Sequence, residues 1–183
     1  MSVLRKGDWM QTATGREFWP LDPRPEEVCI EDIAHALANQ CRFAGHCRQF
    51  YSVAQHSVLV SRQFSGREVR LWGLLHDASE AYVVDVPRPL KLFLSGYGEI
   101  EDRVMAAICD RFDLPREMPK EIRVADTAIL ADEARDIMLP PPRPWTLPYD
   151  PLGISIEPWS PSFAKDQFLW EYRNIVNRQG GLG

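Results

Sequence analysis

From Ile30 onward the apolar residues recur at a helical period, with polar residues filling the gaps. Ile30, Ile33, Ala34, Leu37 and Ala38 make one face behind an acidic first turn, Glu31-Asp32, which suits a helix N-terminus. A second helix is predicted to start at Ser52, which has Gln55 three positions later, the pattern of a capping box. It runs through Val53, His56, Val58, Leu59 and Val60 to about Gln63, and Ser65-Gly66 ends it. The pattern predicts a third helix over 68–81, carrying His76-Asp77, and two more over 99–112 and 121–138.

The two ends of the chain follow other rules. Trp9-Met10-Gln11-Thr12 and Glu17-Phe18-Trp19 read as extended pieces around a turn near Gly15, a short hairpin closed off by Asp22-Pro23-Arg24-Pro25. Residues 139–151 hold six prolines, so neither a continuous helix nor a central strand can form there. Ser160-Pro161 then reads as an N-cap with proline at the first helical position, opening a last helix that reaches about Asn177. The expected architecture is one all-α domain, a helical bundle. Its parts are an N-terminal β-hairpin cover (1–29), a helical core (30–138), and a proline-rich connection with a terminal helix (139–183).

Composition narrows the class. With 45% hydrophobic and 26% charged residues, the chain is expected to be globular rather than disordered. No apolar run approaches the roughly 20 residues of a membrane span. The segment from Met1 to Asp8 lacks the apolar stretch of a leader, so the cytoplasm is the expected compartment. Cys29, Cys41, Cys47 and Cys109 form no C-x-x-C pair and read as reduced thiols. A net charge of −5 argues against a nucleic-acid polymer as partner. A small anionic substrate then needs local positive charge, which a metal ion supplies.

The chemistry concentrates on a few positions. Of the four histidines (His35, His46, His56, His76), His56 and His76 lie on predicted helices with an acidic partner pattern. In a continuous helix His76 and Glu80 share a face, with Asp77 beside them and Leu71, Leu74, Leu75, Ala78 and Ala81 around them. Such a cluster is costly unless it is paired or bound to a cation. On these residues alone, a satisfied salt-bridge cluster and a cation site are equal alternatives. His56 turns inward if Val53 and Val60 do, and Asp126 interrupts the apolar face formed with Ile122 and Ala125. Two imidazoles and two carboxylates suit a first-row divalent ion with open positions. His35 and His46 read as structural, and Trp19 and the other tryptophans as core.

The order His56, His76-Asp77, Asp126 resembles the H…HD…D signature of the HD-domain metal-dependent phosphohydrolases. Ser52-Val53-Ala54-Gln55-His56-Ser57, His76-Asp77-Ala78-Ser79-Glu80 and Asp85-Val86-Pro87-Arg88-Pro89-Leu90-Lys91 are similar to the bacterial 5′-deoxynucleotidase branch, over about 30–138. The resemblance implies an HD-domain helical bundle whose ligands to one divalent ion (Mn, Co, Zn, Fe or Mg) are His56, His76, Asp77 and Asp126. It implies Glu80 as general acid/base, working with the ligand Asp77, and Asp85 near the sugar. Arg42-Phe43 stands where that branch has an Arg-Trp pair against sugar and phosphate, and Lys91 is a candidate phosphate contact. The expected reaction is hydrolysis of a nucleoside monophosphate, preferably a 2′-deoxynucleotide. A triphosphohydrolase releasing tripolyphosphate and a metal-stabilised binding module are the alternatives. Ala81 departs from the H-D-x-x-E-D of alarmone hydrolases, and no G-Y-P marks a cyclic-dinucleotide phosphodiesterase. Homodimers are common in the branch, so the resemblance leaves room for a homodimer, but no heptad or interface stripe in the sequence shows one.

Overall fold

The computed structural model describes residues 5–177; the first four residues, part of the leader reading, and the last six lie outside them. Two short strands, β1 (Met10–Gln11) and β2 (Glu17–Phe18), precede the helices α1 (Ile30–Asn39), α2 (Val53–Ser61), α3 (Arg67–Leu75) and α4 (Glu80–Val83). These are followed by α5 (Arg88–Lys91), α6 (Tyr97–Phe112), α7 (Lys120–Asp136) and α8 (Pro161–Asn177). The mostly helical architecture, the N-terminal hairpin and the terminal helix after Pro161 are as the sequence predicts. No helix among the described residues is long and apolar enough to cross a membrane.

α2 is the centre. Nearly every one of its residues is buried, polar ones included, and α1, α3, α7 and α8 pack around it. A helix enclosed on all sides needs no single apolar stripe, and its polar groups must find partners. Ser52 caps it by accepting the Gln55 backbone N–H at 3.1 Å. The reciprocal half of a capping box is not made. The Gln55 amide instead donates to the Glu157 carbonyl and accepts the Trp159 N–H, both at 2.8 Å, tying the distant tail to this helix. Ser160 caps α8 through the Phe163 N–H, at 3.3 Å.

The other elements are fastened to this centre by buried charge. Glu171 of α8, 1% exposed, takes both Arg62 and Arg70. Asp32 accepts the backbone N–H and hydroxyl of Thr14 at 2.7 and 2.9 Å, holding the hairpin against α1. Phe18 then buries its ring in a stack on Tyr82. Beyond α7 the proline-rich segment returns to the same helix. Asp132 accepts the Gly153 N–H at 3.2 Å, and Asp136 accepts the Ile156 N–H at 2.9 Å. All four cysteines are free thiols.

The predicted helix over 68–81 requires correction, because α3 stops at Leu75 and α4 starts at Glu80. Between them the N–H groups of Ala78, Glu80, Ala81 and Tyr82 bond to carbonyls three residues back. This tighter winding eclipses positions i and i+3. Asp77, rather than His76, is therefore the residue brought over Glu80. α3 also lies unusually close to α2. A Cβ on Gly73 would stand 2.9 Å from Ser61 Cα, a backbone atom that cannot swing aside. Gly73→Ala should thus cost about 1–3 kcal/mol, read as a lower midpoint in urea or thermal melts. An unchanged midpoint would mean that the two helices separate freely.

Candidate metal centre

The close approach at Gly73 places two histidines face to face. His56 from the middle of α2 and His76 just past α3 bring their Nε2 atoms to 3.2 Å. Both side chains are almost wholly buried, at 0% and 3% exposure. Each ring's other nitrogen has a partner that can only accept. His56 Nδ1–H donates to Glu133 Oε1 at 2.8 Å, and His76 Nδ1–H to the Gly73 carbonyl at 2.8 Å. In the neutral rings these bonds fix the Nδ1–H tautomers, which leaves both Nε2 lone pairs aimed at one spot.

Carboxylates complete the cluster. Asp126 Oδ1, from α7, is 3.2 Å from His56 Nε2 and 3.8 Å from His76 Nε2. Asp77 Oδ2 is 3.6 and 3.3 Å from the same two atoms. The His56, His76 and Asp126 ligand atoms all lie within 4.8 Å of one another, a group able to hold a metal ion. Burial opposes ionisation of Asp77, yet the imidazoles of His76 and His56 outweigh it and hold the carboxyl at about 2. Burial likewise opposes Asp126, and bonds to both histidines pull its carboxyl far below the usual range. Burial and Arg42 work against protonating His56, but Glu133 and Asp126 raise it overall. His76 is raised as well, its burial overcome chiefly by Asp77.

The donor set fits a divalent cation. Glu133 and Arg42 cancel one another, and imidazoles that give their Nε2 lone pairs to a cation are neutral and add no charge. Two aspartates remain beside two converging lone pairs, a −2 environment of nitrogen and oxygen donors. The Nδ1–H bonds to a carboxylate and a backbone carbonyl are also the outer partners that histidine ligands use to orient themselves. The helical fold and its His/His/Asp cluster therefore fit a metal site of the HD type.

Glu133 is absent from the sequence reading. It sits seven residues after Asp126, two turns along the same face of α7, and is 0% exposed. Besides His56 it accepts the Tyr51 hydroxyl at 2.9 Å and Arg42 Nη2 at 3.3 Å. Ile122, Ile129 and a second acid in step with Asp126 were visible in the pattern. Tyr51 carried no such signal.

The cluster opens on a cavity of about 840 Å³, walled by Arg42, Phe43, Asp77, Glu80, Asp85, Lys91 and Asp126 among others. All the sequence candidates for substrate contact thus lie on one hollow, with two corrections to their expected roles. Arg42 is not free to clamp phosphate: it is buried, with Nη1 3.5 Å from Asp77 and its other edge on Glu133. Lys91 is committed to Glu101 at 2.6 Å. Buried carboxylates recruit any cation within reach, and periodicity within one helix does not reveal such partners. Arg88 and Trp145 line the same hollow and were not singled out, and Trp145 corrects its reading as core with 41% exposure. His35 and His46 are exposed and apart from the cluster.

Glu80 faces this hollow with its Oε2 buried and unpartnered. Burial above all, then the charges of Asp77 and Asp85, pushes its carboxyl well above the usual range, which favours the protonated form. Gln40 places the segment. Its amide donates to the Glu80 carbonyl and accepts the Asp85 N–H, both at 3.0 Å, spanning Val84. Val84 has φ +72°, costly for a β-branched residue. The loop carrying Phe43 is strained as well, with Phe43, Ala44 and Gly45 at φ +54°, +51° and +81°.

No family model matches the chain. The uncharacterized protein YfdR of Escherichia coli K12 is 36% identical over 171 residues, covering 91% of this chain and 95% of the relative. An uncharacterized protein of Rhodobacter capsulatus is 40% identical over 145 residues, covering 72% and 74%. Since YfdR is matched over almost its whole length, the chain belongs to the YfdR family.

Proposed function

We propose that this protein is a divalent-metal-dependent phosphohydrolase of the HD-domain type, acting on nucleoside 5′-monophosphates and preferring 2′-deoxynucleotides. The observation that supports it is a buried Glu80 carboxyl with an unpartnered Oε2 on the same cavity as two converging histidine Nε2 atoms and two aspartates. His56, His76, Asp77 and Asp126 would hold the ion. When bound, it supplies Lewis acidity toward water and phosphoryl oxygen. Glu80 donates its proton to the departing nucleoside oxygen, the task for which a raised carboxyl is suited. Arg42, fixed on Glu133, reaches Asp77 with Nη1 and holds that carboxylate in place. Among the described residues Arg88 has no carboxylate partner, and it takes the phosphate contact for which Arg42 and Lys91 are already engaged. Asp85 borders the sugar, and Phe43 offers it an apolar face that solvates a 2′-hydroxyl poorly.

The test is phosphate release from a panel of mono- and triphosphates with Mn²⁺, Co²⁺, Zn²⁺, Fe²⁺ or Mg²⁺. Free phosphate from monophosphates is expected, with deoxynucleotides at least about tenfold better in kcat/KM, the scale of one unpaired buried hydroxyl. A chelator should abolish the release and re-added metal restore it. Tripolyphosphate from triphosphates would replace this reading with a triphosphohydrolase. Silence with every metal would leave a binding module.

A further inference from the structure

One wall of the cavity is aromatic and has no part in metal binding. Phe43 and Trp145 line it, with ring centroids 6.0 Å apart and planes tilted by 45°. They arrive from distant parts of the chain. Phe43 sits on the loop entering α2, in the left-handed conformation that a bulky residue normally avoids. Trp145 sits midway along the proline-rich strap that leaves α7 and is tied back to it at Gly153 and Ile156. Between 139 and 152 the strap makes no backbone hydrogen bond among the described residues, so its prolines and side chains alone set its course.

Two features set these rings apart from ordinary core. Trp145 as a whole residue remains 41% exposed, and it also borders a second hollow of about 280 Å³ lined by His46, Met138, Pro140, Pro141 and Pro142. The aromatic wall is also joined to the metal cluster. Arg42 lies over the Phe43 ring at 5.4 Å from its centroid and reaches Asp77 with Nη1. One guanidinium therefore spans from a carboxylate of the metal site to the apolar wall. Strained backbone kept beside a site, with exposed aromatic surface turned into the same cavity, is expected where a ligand supplies the missing contact.

We propose that Phe43 and Trp145 form a recognition wall for the planar ring of the substrate, making Trp145 a specificity-determining residue contributed by the proline-rich strap. This rests on the nucleotide reading above and adds what selects the ligand at the end away from phosphate. The rings are too close and too tilted for a third to slide between them, which would need parallel faces about 7 Å apart, twice the van der Waals separation. A base lies against the wall with one face only. Such stacking is nearly blind to base identity, since every base offers a π-face. Purine and pyrimidine nucleotides are both accepted, and a sugar phosphate without a base is not.

The experiment compares dAMP with 2-deoxyribose 5-phosphate, which shares sugar and phosphate but lacks the base, on the Mn²⁺-loaded protein. The kcat/KM ratio of dAMP to the sugar phosphate should be at least about tenfold, from the usual worth of one base–aromatic stack. Trp145→Ala should cut that ratio about tenfold, through KM. Trp145→Phe should restore most of it, and Trp145→Leu, equally apolar but without a π-face, should not. A ratio near one in the unmodified protein, or one unmoved by Trp145→Ala, overturns the proposal. Calorimetric binding of the same two compounds keeps the two readings separable. If no ester is hydrolysed but dAMP still binds better than the sugar phosphate and loses that advantage in Trp145→Ala, only the phosphohydrolase reading falls. Equal binding sinks the ring wall.

Discussion

Glu80→Gln is expected to lose about 10²-fold or more in kcat while keeping its full complement of metal, the loss typical of removing a general acid/base. The substitution is close to isosteric and withdraws only the transferable proton. Among the described residues Glu80 pairs with neither histidine and its Oε2 is unpartnered, so metal content should hold at the unmodified value. The amide also replaces a carboxyl pushed above the usual range chiefly by burial, then by the charges of Asp77 and Asp85. Asp77→Ala is the contrast: it should lose metal and activity together, because Asp77 Oδ2 lies within 3.6 Å of both Nε2 atoms. Elemental analysis beside steady-state kinetics separates the two outcomes. A Glu80→Gln protein with near-normal kcat would remove Glu80 from the chemistry.

Glu133→Ala should be the most damaging single change to the fold of the site. Its carboxylate is wholly buried and accepts from His56, Tyr51 and Arg42 at once. Removing it strands the Arg42 charge and two donors in the interior. Breaking a buried pair in this way costs about 3–5 kcal/mol. At this chain length that lowers Tm by about 10 °C, at roughly 2–4 °C per kcal/mol. Losing the bond that orients His56 should also weaken metal affinity about 10–100-fold. Thermal melts of the metal-free protein and a metal titration read the two effects independently. A Tm within 2 °C of the unmodified protein, on the order of a single kcal/mol, would show that the network carries no such load.

Much of the site was visible in the chain because each piece is local. Ser52 before Val53 announces α2, and His56 follows from the inward positions on it. Asp126 breaks an apolar stripe, and Ser160-Pro161 opens α8. The helix over 68–81 failed for a local reason as well. Helical periodicity looks much alike for 3.6 and 3.0 residues per turn over one turn, so the tightening at 76–79 left no mark. Its consequence is chemical, since it brings Asp77 over Glu80 and helps to raise that carboxyl.

Arg42 shows where local reading stops. Beside an aromatic and ahead of the first histidine, it reads as a free phosphate clamp. Its partner Glu133 stands 91 positions away, and His56 and Tyr51 meet the same carboxylate across 77 and 82 positions. Spacing along a helix reports which face is buried, but not which side chain of another helix shares that interior. The sequence by itself determined most of the helices, their caps and the order in which the cluster residues occur, because backbone hydrogen bonding and apolar period act over a few residues. Only the tertiary structure decided which charges pair, and that the strap carries Trp145 to the cavity. Those outcomes depend on the approach of distant elements, such as α3 against α2 at Gly73, where a single Cβ would keep the two histidines apart.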